Sequence, residues 1–263
     1  MNEIFDQNST AQIDAKLHRD IIEHENKVIT GCVIALFVLM YIFRGWISYN
    51  IKFGIAFPSG LNSTRIEVAK DPTQTNYSEE EKARKTFTYK TLTTGKKVKL
   101  IPQAHYKLSG LTVGYNSSTL FKYDTLNDIA LYDLGTAWGK LGDKYFYNKN
   151  FKNYQVSNYR VLWTVRRYYN SPVSEEYART HYAHSYIIPA TRNIMAALLN
   201  IKMWDKVELE GELVDVEQIS NETPYTDRTS LTRADDGWQG DRGSGSSEII
   251  YLTKIKIGNI IYK

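Results

Sequence analysis

The segment THYAHSYIIPA (180–190) sets His181 and His184 three residues apart among aromatic and branched side chains, just ahead of Pro189. Imidazoles so placed can ligate a metal, move a proton, or hydrogen-bond the backbone at a turn. A zinc site takes three or four ligands from His, Cys, Asp or Glu, so two histidines make at most half of one. His105 is the only other histidine after residue 86, and nothing in the spacing of Asp124, Asp128, Asp133 or Glu175 selects a further ligand. The Glu of a His-Glu-x-x-His helix is missing. Cys32 is the only cysteine, and the serines show no nucleophile-elbow spacing. His181 and His184 are therefore expected to be structural, their ring nitrogens bonded at a turn, with no metal or cofactor. The competing chemistry is a metal-assisted hydrolase built on the same pair.

Two other stretches have residue types that could bind. Arg166 and Arg167 beside Tyr168 and Tyr169 offer cations and stacking rings, although an exposed sheet face has the same composition. Gly135, Gly139 and Gly142 suggest a phosphate cradle, but no Gly-Lys-Ser/Thr follows and the spacing fits no dinucleotide fingerprint. Turns with positive φ around a packed Trp138 are the expected reading.

These groups must be held by something, and the first element is an anchor. Val28–Ser48 reads VITGCVIALFVLMYIFRGWIS, uncharged from Val28 to Phe43. As a helix it rises about 31 Å, close to the roughly 30 Å of a bilayer's hydrocarbon. Arg44 and Trp46 near its far end suit the headgroup boundary. The expectation is a single-pass, uncleaved transmembrane helix over 28–48. Residues 1–27 form a polar segment with a narrow stripe at Ile13, Leu17 and Ile21, and residues 49–85 form a tether rich in Ser, Thr, Asn and charge.

The remainder, 86–263, reads as one globular domain, so the fold class is α+β, mainly β, with short helices and a small-barrel character. FTYK and KVKLIP alternate about Thr94-Gly95, and AHYKLSGLTVGY continues with a break expected at Gly110. Leu126–Leu134 suggests a short helix ending at Gly135. Ile194, Ala197, Leu198 and Ile201 have helical spacing. Val207, Leu209, Leu213 and Val216 alternate about Gly211, where a bulge is expected. Gly258-Asn259 between apolar runs predicts a two-residue hairpin.

Read in order, LIPQAHYKLSGLTVGY, DIALYDLGTAWGKLGD, HYAHSYIIPA, DKVELEGELVDV, and RTSLTRADDG with SSEIIYL resemble a family of uncharacterised proteobacterial proteins. These have one N-terminal membrane segment, a tether and a globular domain, and the resemblance spans roughly residues 86–253. It implies placement in a bacterial envelope and supplies no activity. Members carry a His-x-x-Asn-x-His-like segment where this chain has His181, His184 and Tyr186, and a Cys where it has Ser247. A shared metal site using the second histidine would be lost with Tyr186, whereas packing survives the exchange.

The formal net charge is +4, with 33 Lys and Arg against 29 Asp and Glu and no dense basic run, so nucleic acid is not the expected partner. Flanking charges nearly tie and do not orient the anchor. The thiol-free domain and the resemblance place it outside the cytoplasm, on the inner membrane. The expected function is a non-enzymatic binding or scaffolding domain, held in the bilayer by 28–48 and facing an envelope protein or a second copy of itself. A small-barrel oligosaccharide or nucleic-acid module is a further alternative, prompted by VELEGELVDV with its central glycine.

Overall fold

The structure, a computed structural model, describes residues 3–42, 58–90, 97–117, 129–130, 132–155, 163–167, 170–218, 226–231 and 247–263. It divides into two compact units, Met1–Ile47 and Ser48–Lys263. The first holds one unbroken helix, α1 (Glu3–Ile42). Among the described residues no helix is long and apolar enough to cross a membrane. The reason is length: from Val28 to Ile42 the uncharged run rises only about 22 Å. Arg44, Trp46 and Ser48, the far boundary expected of a span over 28–48, lie outside the described residues.

The second unit contains, in chain order, β1 (Leu61–Asn62), β2 (Thr73–Asn76), α2 (Glu79–Lys85), β3 (Phe87–Lys90), β4 (Lys97–Ser117), β5 (Tyr132–Ala137), α3 (Lys144–Asn150), β6 (Phe151–Gln155), β7 (Trp163–Arg167), α4 (Glu175–Thr180), β8 (Tyr182–Pro189), α5 (Arg192–Leu198), β9 (Lys206–Gln218), β10 (Thr226–Asp227), β11 (Glu248–Ile257) and β12 (Ile260–Tyr262). Five strands close into a barrel. β4 pairs β5, β5 pairs β8, β9 pairs β4 and β11 pairs β9, all antiparallel, while β11 runs parallel to β8. Numbered along the chain, the barrel strands follow the order 1-2-3-5-4-1. The fold is α+β, mainly β.

Alternation on each strand builds the core. Ala104, Tyr106 and Leu108 of β4, Leu134 of β5, Ala183 and Ile187 of β8, Val207, Leu209 and Leu213 of β9, and Ile250, Leu252 and Ile255 of β11 form one buried cluster. Ile194, Ala197 and Leu198 of α5 and Ile201 after it join that cluster, as their spacing predicts. The short helices start at side-chain caps: Ser78, Asp143, Ser174 and Thr191 each accept an amide of the first turn. The predicted hairpin joins β11 to β12, with Gly258 at φ 58°.

Four local expectations need correction. β4 does not break at Gly110; its register slips instead at Gln103 and Val113, and Gly110 lets the Ala137 carbonyl and the Thr136 side chain approach to 3.1 Å of where a Cβ would stand. The predicted helix over 126–134 does not reach Gly135: Ile129 is helical, but from Tyr132 the chain is strand β5, paired on both sides within the sheet; residues 126–128 and 131 lie outside the described residues. The bulge expected in β9 lies opposite it, at Thr253 of β11, because Gly211 lets the Tyr251 backbone come too close for any Cβ. Finally, the expected tether is part of the body from Leu61 onward. β1 pairs β12, β2 pairs β4, Ile66 is buried, and a Cβ on Gly142 would press on Val68 at 2.9 Å. Polar edge strands held by backbone ladders leave no apolar period to read.

Candidate functional site

The two histidines serve different places. His181 ends α4 and belongs to a clasp that fastens residues 66–71 to the barrel. Its Nδ1 lies 2.9 Å from the Tyr177 carbonyl, and its ring stacks on that of Tyr177 at 3.7 Å and 13°. Trp138 Nε1 donates to Asp71 Oδ1 at 3.1 Å, and His181 Nε2 lies 3.8 Å from the same oxygen. Gly139 turns the chain with φ 59°, and its amide donates to the Val68 carbonyl at 3.0 Å. Of the three glycines expected to turn around Trp138, Gly139 alone has positive φ, while Gly135 lies within strand β5. Asp71 carried no signal in the sequence, since it sat in a stretch read as a tether.

His184 lies within β8 and is buried. Register carries it onto a face with residues from three motifs. Gly135 of β5 stands opposite His184 and Asp133 opposite Tyr186, so Asp133 is the diagonal neighbour of His184 on that face, at a spacing of roughly 7–8 Å. The His184 and Tyr186 rings meet edge to face at 5.0 Å, and His184 Nδ1 lies 3.4 Å from Ser247 Oγ. Thus Tyr186 and Ser247 meet at His184. Asp133 is buried as well.

The rim of this face is stitched by the segment after β10. The Ser230 amide donates to the Ser247 carbonyl at 3.0 Å, the Ile249 amide to Thr229 Oγ1 at 2.9 Å, and the Thr229 amide to Asp215 Oδ1 at 2.9 Å. Burial pushes the Asp215 carboxyl above its ordinary value, and the Thr229 amide and the Arg228 charge oppose that shift in part.

Chemically, the face gathers a carboxylate, an imidazole, a phenol and a hydroxyl. Among the described residues no group of three or more His, Cys, Asp or Glu could hold a metal ion. His105 lies on β4, 3.9 Å from Glu212 instead, and Glu175 pairs with Arg179 at 3.0 Å. A 3.4 Å approach of Ser247 to an imidazole is at the long limit of hydrogen bonding and serves placement better than activation of a nucleophile. Arg166 and Arg167 lie on β7, in a two-stranded sheet with β6, away from the barrel ladder. Tyr168, Tyr169, Asp124 and Asp128 lie outside the described residues. The chain matches no protein-family model, no curated protein and no solved structure at a significant level.

Proposed function

We propose that the chain is a membrane-anchored, non-enzymatic binding module of the bacterial inner membrane, its barrel lying outside the cytoplasm and presenting its outer surface to an envelope protein. The observation that carries this reading is the state of α1. Ile29, Ile34, Leu36, Phe37, Val38, Leu39 and Tyr41 lie on all sides of the helix and are each more than half exposed. An apolar surface that surrounds a helix calls for lipid or another chain to cover it. Continued through residues 43–48, the same helix would reach bilayer length. The barrel supports a binding role because its interior is filled by its own side chains, leaving the outer face for recognition.

Alkaline carbonate extraction of membranes tests the anchor: the full chain should remain in the pellet, and its release would overturn the reading. Alkaline phosphatase fused at Lys263 should be active, and a fusion that fluoresces only in the cytoplasm would reverse the orientation. Crosslinking in native membranes should trap a protein partner.

A second reading is favoured by strand order. In five-stranded Greek-key barrels, oligonucleotides and oligosaccharides bind on strands 2 and 3 between loops 1–2 and 4–5. The corresponding strands here are β5 and β8; most of residues 118–131 and 219–247 lies outside the described residues. This is an analogy of fold. Binding of a nucleic acid with steep salt dependence would favour it over the protein partner.

A further inference from the structure

Thr112 of β4, Thr136 of β5 and Ser185 of β8 are each 0% exposed. Among the described residues, the hydroxyl oxygens of these three side chains have no hydrogen-bond partner. The two-residue period of the strands says where they point. Tyr132 and Leu134 precede Thr136 on the inner face of β5, and Ala183 and Ile187 flank Ser185 on the inner face of β8. On β4, Leu108 belongs to the same inner cluster, whereas Leu111 and Val113 pack in a separate one with Ala137 and Tyr182. All three hydroxyls therefore lie inside the barrel.

A hydroxyl taken out of water and given no partner is costly, whereas valine or alanine would fill the same place without that cost. The three form one patch on adjacent strands. Thr112 stands directly opposite Thr136, so their Cβ atoms are about 4.5–5.5 Å apart, a gap that one water spans with two bonds of about 2.8 Å. Ser185 stands opposite Leu134, which makes it the diagonal neighbour of Thr136, at about 7–8 Å. That step takes a second water. Other neighbours of Thr136 on this wall are small: Ala183 stands opposite it, and a Cβ on Gly110 would come to 3.1 Å from its Cβ.

We propose that the wall between β4, β5 and β8 is a binding site for structural water, in which two ordered molecules link Thr112 to Thr136 and Thr136 to Ser185. Each water then reaches at least two hydroxyls, within the range of about two to four partners that such molecules hold in protein interiors. An organic ligand is a poorer occupant, because Tyr106, Leu108, Tyr132 and Leu209 fill the same interior. The site joins three strands through side chains as well as through their ladders, and it does not depend on the proposed function.

The test uses the full chain in detergent, as wild type, Thr112→Val, Thr136→Val, Ser185→Ala and the triple variant. Water oxygen-17 relaxation dispersion counts molecules held for longer than the protein takes to tumble, and the triple variant should hold about two fewer than the wild type. In urea, each threonine variant should lose about tenfold in the folded-to-unfolded ratio, because valine keeps the shape and breaks the bridge. Thr112→Val and Thr136→Val combined should cost less than the sum of the two, since they share one water. Valine variants more stable than the wild type would show the hydroxyls to be unpartnered in solution and overturn the proposal. Unchanged dispersion in a triple variant with wild-type circular dichroism would overturn it too. Should the triple variant fail to fold, the single threonine variants decide by the same two readings: loss of a long-lived water together with loss of stability supports the site, and either reading unchanged overturns it.

Discussion

Replacing His181 with alanine removes an imidazole that holds α4, the Trp138 turn and residues 66–71 together. The hydrogen bond of Nδ1 to the Tyr177 carbonyl, at 2.9 Å, contributes about 1 kcal/mol net. The stacked contact with Tyr177, at 3.7 Å between centroids, adds about 0.5–1.5 kcal/mol. Asp71 keeps its bond from Trp138, so little further loss is expected there. His181→Ala should therefore destabilise the barrel by about 2 kcal/mol, and His181→Asn by about 1 kcal/mol, since the amide can retain a polar contact while the ring is lost. Urea unfolding of the full chain in detergent, followed by circular dichroism, measures both, and unchanged m-values would license the comparison. A chelator arm separates structure from metal binding: EDTA should leave the wild-type midpoint in place. An alanine variant within about 0.5 kcal/mol of wild type would refute the clasp. Loss of stoichiometric zinc in both variants, with equal damage from Asn and Ala, would restore the metal-assisted alternative.

Gly211→Ala drives a methyl into the Tyr251 backbone, where strand pairing on both sides of β9 prevents retreat; it should cost about 3 kcal/mol, and a melt within about 1 kcal/mol of wild type would contradict the close approach. Burial raises the Asp215 carboxyl, so the native state holds its proton to higher pH than the unfolded chain; this group's contribution to stability falls as pH rises from 3.8 through the raised value. Asp215→Asn keeps an acceptor for the Thr229 amide and should flatten that part of the pH profile, and an unchanged slope would count against the assignment. A chain beginning at Arg84 loses Ile66, β2 and the Asp71 contact, so it should melt below one beginning at Ser59; equal melting would return residues 59–83 to the status of a tether.

The face around His184 shows why its assembly resisted reading. Asp133, His184, Tyr186 and Ser247 were each visible in motifs, but nothing local fixes which strands lie side by side. The parallel contact of β8 with β11 brings Ser247 to His184 across 63 positions, and such pairing is set by closure of the barrel.

What the amino-acid order determined by itself is local and periodic: the uncharged run after Val28, the alternation that makes β4, β9 and β11 strands, the helical spacing of α5, its Thr191 cap, and the glycine of the final hairpin. Each follows from side-chain period, backbone freedom or a capping oxygen within a few residues. Only the tertiary structure decided that Tyr132–Ala137 is a strand, that Asp71 belongs with Trp138 and His181, and that a tryptophan holds the left-handed place at residue 204. In those cases long-range hydrogen bonds and packing outweigh local preference, because a segment paired on both sides gains more from its neighbours than its own sequence can oppose.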